Sequence, residues 1–558
     1  MECRCVVRTV AVLAVTLGLS AGASALAAQD SLGSRIDQVF ADIDVGEPGC
    51  AVGVMRGGEP VAMRGYGTAN LEYDVPIEPS SVFHVASVSK QFTAMAVALL
   101  VAEGKVSWQD DIRRYVPEVP DFGKTITLRH LANHTSGLRD QWDLLAMAGW
   151  RFEADVITQG DVLDITARQR APNFEPGAEY LYSNTGFTLL GVVVERVSGE
   201  SLRAFTTARI FGPLGMTRTH FHDDHNMVVP GRAYGYARTP EGYRLSIPDF
   251  DVVGATSLFT TVEDMARWDR NFITAQVGGR AVIDDLLTRG VLTSGESIDY
   301  AAGVMHGRYR GLPTVGHSGA DAGYRSDFVR FPDQDTSIAV LCSFPNADPG
   351  GRARKVADLI LEDQFPQPSS SNGSGAEGVQ LSLAQLEAVA GLYMRDDTDV
   401  LDQVRVRDGV LVFGGGQGRP LVPVMPDRFR LGSADVRFLA GNTLQGVIDG
   451  RVRALRKVAP ASPGAASRAE YTGTFWSDDL GAEYRVELSN GRLRMWTRKR
   501  GALGMTPRAD DRFSAGNLQV SFTRDASGRI DGFTASTGRV RKVRFDRAAP
   551  HVGGGTGR

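Results

Sequence analysis

At 558 residues the chain is too long for one core, and two to four domains are expected. Its hydrophobic fraction of 42% is ordinary for a soluble globular protein. A net charge of −4 gives no electrostatic basis for binding nucleic acid or an acidic membrane surface.

Residues 1–27 read as a secretory signal peptide. Arg4 and Arg8 precede an apolar run from Val10 to Leu19, and small residues end in Ala25-Leu26-Ala27. The run is short for a membrane span, so no span is expected and the mature protein is placed in the periplasm or outside the cell. Gly18-Leu19-Ser20-Ala21-Gly22 fits a nucleophile-elbow pattern, but it lies within this leader and is discounted. Cys3 and Cys5 leave with the leader. Cys50 and Cys342 remain, both in strand-like runs. An exported compartment permits a bridge between them, but bridge geometry is strict and two buried free thiols are expected.

The first folded region is expected over 31–365. From Cys50 to Gly67 two strand-like runs flank Arg56-Gly57-Gly58-Glu59-Pro60, a hairpin pattern. Phe92, Met95, Ala96, Leu99 and Leu100 then recur at helical spacing, with Gly104 as a stop, so Ser87 falls in the first turn of a core-facing helix. Residues 105 to 295 carry mostly helix and loop signals, including Gly160 to Arg168 and Gly186 to Val197. Strand signals return at Tyr300 to Met305, Thr314 to His317, Tyr324 to Phe331 and Thr336 to Phe344, and a helix from Ala353 to Leu361 closes the region. Strands at both ends with helices between them imply an α+β fold, an antiparallel sheet with a helical lobe.

Residues 366–380, rich in Pro, Ser, Asn and Gly, read as a linker, so the region before it is expected to fold by itself. Beyond it an internal repeat appears. Gly391-Leu392-Tyr393 matches Gly473-Thr474-Phe475 at an offset of 82, and the hairpin dipeptides Asp408-Gly409 and Asn490-Gly491 keep that offset. Asp427-Arg428-Phe429 and Asp511-Arg512-Phe513 follow at 84. Two small antiparallel β-domains, barrels or sandwiches, are expected at 381–459 and 467–548, with a disordered tail at 549–558.

Three stretches carry chemistry. In Ser87-Val88-Ser89-Lys90 the serine and lysine share a helix face. Only seven of the 61 basic residues are lysines, and only Lys90 has a serine three residues before it. Burial beside a proton acceptor is the condition under which a lysine gives up its proton and activates a hydroxyl. Tyr182-Ser183-Asn184 is the one Tyr-x-Asn among fourteen tyrosines. There Tyr182 can relay a proton and Asn184 can hold a substrate amide. His317-Ser318-Gly319 ends a strand before Ala320-Asp321-Ala322-Gly323. Gly319 lets backbone pass close to a ligand, and the N–H groups of Ser87 and Ala320 can form an oxyanion hole. The stretch His220 to His225 matches no zinc spacing, and neither metal nor cofactor is expected.

Together these stretches resemble the SxxK, Tyr-x-Asn and Lys/His-x-Gly motifs of penicillin-binding proteins and class C β-lactamases, in type, order and spacing. His130 to Leu138 is similar to a structural loop of the same family, and the resemblance covers about 35 to 362. Two β-domains behind it make the layout similar to that of its D-aminopeptidases. The resemblance implies Ser87 as nucleophile, Lys90 and Tyr182 as the proton-transfer pair, and Asn184, His317 and Gly319 at the substrate. It implies a small-molecule or short-peptide substrate, with cell-wall contact as a further expectation. Family members that bind a free carboxylate usually carry lysine where this chain has His317. At its ordinary pKa near 6.5 that histidine is mostly neutral at pH 7 and gains charge towards pH 5.5. A D-amino-acid amide or small peptide is therefore favoured. The alternatives are an esterase, a weak β-lactamase or DD-carboxypeptidase, and, in another class, a non-catalytic ligand sensor.

Overall fold

The computed structural model describes residues 32–366, 379–395, 398, 400–414, 418–432, 434–440, 443–448, 451–461 and 464–548. The expected leader, most of the expected linker and the whole of the expected tail lie outside the described residues. The chain divides into two compact units. The first takes residues up to 106 with 194–289 and 299–367; the second takes 107–193, 290–298 and 368 onward. Among the described residues no helix is long and apolar enough to cross a membrane.

The first unit is built on an antiparallel sheet of β1 (Cys50–Arg56), β2 (Glu59–Tyr66), β3 (Met305–Tyr309), β4 (Leu312–Asp321), β5 (Tyr324–Phe331) and β6 (Thr336–Cys342). Their order is β3-β4-β5-β6-β1-β2, so strands from the two ends of the region join where β1 pairs with β6. β6 is buried along its whole length, as a central strand covered on both faces requires. On one face Cys50, Val52, Val54, Ile338 and Val340 pack with Ile36, Phe40 and Val356 of the flanking helices. On the other, Gly53 faces Val262 at the start of the helix Val262–Thr274. Trp268 of that helix packs on Phe92 at 4.4 Å, and its indole N–H donates to Gln91 at 3.1 Å, tying it to the helix Lys90–Ala102. This last helix is buried on every side from Lys90 to Leu100, so apolar residues surround it where the sequence showed only a core-facing stripe.

Three expectations change. Cys50 and Cys342 form a disulfide; they stand opposite each other on β1 and β6 with Cα atoms 4.0 Å apart, an opposition that strand register alone creates. The strand read at Tyr300 to Met305 begins at Met305, and Tyr300 contributes only an isolated bridge to that residue. The closing helix starts at Pro349, capped by Asp348, because proline suits a first helical position although Pro-Gly-Gly resembles a turn.

The second unit contains the helices Leu128–Ala132, Gln141–Met147 and Gln159–Ala167, the start of Asn184–Ser198, and two closed eight-stranded antiparallel barrels. The barrels run from Gly391–Arg395 to Arg451–Val458 and from Gly473–Ser477 to Val543–Arg547. The repeat landmarks have structural causes. Asp408-Gly409 and Asn490-Gly491 have positive φ at both positions, the turn that matches strand twist. Tyr393 and Phe429 fill the first barrel, and Phe475 and Phe513 fill the second.

Buried ion pairs fasten the helical lobe to both barrels. Arg139 donates to Asp479 at 2.7 Å, and Glu179 accepts from Arg453 at 3.0 Å and from Arg541 at 3.1 Å. Removing one member of a buried pair leaves an uncompensated charge. Glu179→Ala is therefore expected to lower unfolding free energy by about 3–5 kcal/mol, read by denaturant titration. Contrary to the expectation that the first region folds by itself, a chain ending at Phe365 strips the partners from Arg139 and Glu179, and is expected to bind apolar dyes or precipitate. Soluble, cooperative unfolding of that fragment would contradict this account. In non-reducing mass analysis the protein should show no alkylatable thiol at Cys50 or Cys342.

Candidate active site

The strand Phe83–His84 runs into a 3₁₀ turn, Ala86–Ser89, which continues directly into the helix Lys90–Ala102. Ala86 sits in the left-handed region at φ 47°, a strained conformation that surrounding bonds must hold. Its N–H donates to His84 Nδ1 at 3.2 Å, and the Ser89 hydroxyl donates to its carbonyl. From Ser81 to Leu100 every residue is buried except Ser87, so this turn presents one hydroxyl and hides its surroundings. The Lys90 ammonium, fully buried, donates to Ser87 Oγ at 3.1 Å and to the Ala255 carbonyl at 2.6 Å. The same loop accepts the Thr93 hydroxyl at Gly254, 2.7 Å away.

On β4 the alternation of side chains puts His317, Gly319 and Asp321 on one face. A Cβ at position 319 would lie 2.3 Å from the Val85 carbonyl and 3.1 Å from Ala86 Cβ, so only glycine permits this approach to the nucleophile turn. Ala320, on the opposite face, is exposed. His317 Nδ1 lies 2.6 Å from the Ser318 carbonyl, and Nε2 lies 2.9 Å from the hydroxyl of buried Tyr300. The carbonyl can only accept, so Nδ1 carries a proton; with the ring neutral, Nε2 accepts from the Tyr300 hydroxyl. The ring keeps some solvent contact, yet burial and then the Lys90 charge push its pKa down to about 3. His317 therefore gains no charge near pH 5.5, contrary to the expectation from its ordinary pKa.

Tyr182 and Asn184 belong to the second unit. Asn184 opens the helix Asn184–Ser198, and both its backbone N–H and its Nδ2 donate to one oxygen of fully buried Asp140, at 2.7 and 2.8 Å. Asp140 also caps the helix Gln141–Met147, so one carboxylate fixes two elements. The Tyr182 ring packs on His134 at 4.1 Å, whose Nδ1 accepts the Ser183 N–H. Arg539, between the last two strands of the second barrel, places its guanidinium 4.8 Å from the Tyr182 ring. Bonds from Asn173 Nδ2 to the Arg539 carbonyl and from the Arg539 N–H to Asp143 hold that loop. Thus Ser87, Lys90, His317 and Gly319 assemble within one unit and Tyr182 and Asn184 within the other. The Ala255 carbonyl, Tyr300 and Arg539 carried no readable sequence signal. Asp140 did carry one, as an N-cap residue before a helix.

The family description that matches the chain is Beta-lactamase, over residues 36–362, more than half its length. The chain belongs to the beta-lactamase family. Penicillin-binding protein 4* of Bacillus subtilis is 28% identical over 407 residues, covering 69% of this chain and 89% of that protein. A D-aminopeptidase of Brucella anthropi is 24% identical over 517 residues, covering 90% of this chain and 95% of its own. The octameric penicillin-binding protein homologue of Pyrococcus abyssi superimposes with a TM-score of 0.54 at 23% identity, over 85% of this chain and 99% of that one. The beta-lactamase region is thus a serine hydrolase domain followed by two barrels.

The remaining histidines of this beta-lactamase fold have structural partners. His220 and His222 pack on Phe259 at 5.7 and 4.6 Å, and burial pushes both down to about 4. His225 pairs with Asp251 at 2.9 Å, which raises its pKa. In histidine-selective NMR the His317 signal, assigned by its loss in His317→Gln, should stay constant from pH 8 to about 4, while His225 titrates above 6.5. A His317 midpoint near 6.5 would refute the neutral, doubly bonded ring.

Proposed function

We propose that the chain is an exported hydrolase that cleaves a D-amino-acid amide or short peptide through an acyl-enzyme on Ser87. The observation that carries this reading is the buried Lys90 ammonium, 3.1 Å from the one hydroxyl that its surroundings leave open. In this mechanism Lys90 first gives up a proton to become the neutral amine, which takes the proton of Ser87 Oγ as that oxygen attacks the substrate carbonyl. The N–H groups of Ser87 and Ala320 receive the developing oxyanion. Tyr182 returns the proton to the leaving amine, and water then releases the acyl group. Asn184, locked by Asp140, orients the substrate amide. His317 is neutral and its nitrogens are engaged by Tyr300 and Ser318, so it offers no cation to a terminal carboxylate. That favours substrates without one over β-lactams and stem peptides. Export is supported by the leader-like pattern at residues 1–27 and by the Cys50–Cys342 disulfide, which needs an oxidising compartment.

Intact mass after exposure to a serine-directed phosphonate tests the nucleophile. Ser87→Ala should abolish labelling with the fold intact, and full labelling of that variant would sink the assignment. Lys90→Ala and Tyr182→Phe should each slow acylation severely, with a combined loss far below the product of the two, because both serve one proton path. His317→Lys should favour carboxylate-bearing substrates through a contact worth roughly 1.5–3 kcal/mol. The wild type should not drift towards that preference between pH 7 and 5.5. A wild-type drift would mean that His317 titrates at the site.

A further inference from the structure

The carboxylate of Asp321 is a buried-side group that the proton-transfer machinery does not use. It stands at the end of β4 on the same face as His317 and Gly319, and that face is turned to the nucleophile turn, because Gly319 lies against Val85 and Ala86. At about 3.4 Å per residue, Asp321 is roughly 7 Å along the strand from Gly319. A short run of donors ends on it. The Ala86 N–H donates to His84 Nδ1, which leaves the proton on Nε2, 3.4 Å from Thr256 Oγ1. Thr256 Oγ1 in turn donates to Asp321 Oδ2 at 2.9 Å. One carboxylate oxygen is thereby fixed beside the loop whose Ala255 carbonyl holds Lys90. Among the described residues no cation lies within ion-pair distance of Asp321, although its side chain keeps some solvent contact.

We propose that Asp321 is the subsite for the free α-ammonium of the substrate, so that the enzyme acts on amino-acid amides and amino-terminal peptide bonds in preference to N-acylated ones. The proposal rests on the acyl-enzyme reading given above and adds the substrate group recognised. A carboxylate on the strand face that packs on the nucleophile turn, held by the Thr256 hydroxyl and a backbone bond at Ala322 and lacking an ionic partner, is complementary to an ammonium. An ammonium sits one carbon from the carbonyl that Ser87 would attack, within reach of a carboxylate two strand positions from Gly319. Burial also raises the Asp321 pKa to about 6, as expected of a negative charge short of compensation until a cation arrives. Lys90 and Arg325 act on it only at longer range. His84 and His317, both pushed far below 6.5 by burial, are neutral and add no charge.

The test compares kcat/KM for D-alanine 4-nitroanilide and its N-acetyl derivative, in the full chain. The wild type should prefer the free amine, and Asp321→Asn should reduce that ratio roughly 10- to 100-fold, the worth of one charge-assisted contact. Asp321→Glu, which keeps the charge but moves it, should fall between, and it stands in if the asparagine variant does not fold. In the wild type the ratio should decline as pH falls through about 6 and Asp321 takes a proton, whereas in Asp321→Asn it should be flat. Phosphonate labelling of Ser87 separates the two levels of the argument. Wild-type protein that neither labels nor turns over either substrate overturns the acyl-enzyme reading, and this subsite with it. Labelled Ser87 with no preference for the free amine, or with the same ratio in wild type and both variants, overturns the Asp321 subsite alone.

Discussion

The burial of one lysine constrains the rest of the first unit. Moving an ammonium out of water costs several kcal/mol unless its protons find acceptors, and Lys90 has Ser87 Oγ and the Ala255 carbonyl within hydrogen-bond distance. Holding those acceptors in place explains features that look unfavourable locally. Ala86 and Ser257 adopt positive φ, the helix Lys90–Ala102 is buried all round, and β4 gives up a side chain at Gly319. Each brings a backbone group to a position that a relaxed chain would not supply. The strain is held by the packed sheet and helices, and what emerges is one open hydroxyl beside one buried amine.

Around that pair the electrostatics are one-sided. Where the family commonly offers a cation on this strand, the chain has a histidine kept neutral by burial and by the Lys90 charge, against the opposing pull of the Ser318 carbonyl. Four residues on, the same face carries a carboxylate without an ionic partner among the described residues. Both side chains set the strand's charge in the same direction, away from anionic substrates. They need no new fold, only two side chains on an existing edge of the site.

The barrels contribute more than bulk. Charges of the helical lobe that would be intolerable alone, Arg139 and Glu179, are neutralised by Asp479, Arg453 and Arg541 from the barrels. The loop that carries Arg541 also carries Arg539, whose guanidinium lies over the Tyr182 ring. Stability of the lobe and the surroundings of Tyr182 are thus served by one segment, and a change in the second barrel is felt at both.

Local chemistry made much of this legible. The Ser87–Lys90 spacing, the apolar period of the following helix, Gly319 and the 82-residue repeat are short-range patterns, and each reflects a rule that acts over a few residues or one turn. The repeat even placed the hairpin turns, because Asp-Gly and Asn-Gly tolerate positive φ wherever they occur. The pairing of Cys50 with Cys342 depends on strand register across 292 residues, which no local pattern encodes. The same holds for the Ala255 carbonyl on Lys90, since every residue has a carbonyl and only folding selects one. The ionisation of His317 has the same origin: its type sets a pKa near 6.5, and only the groups packed around it move that value to about 3. Residue identity decides which chemistry is available, and long-range packing decides the field in which it operates.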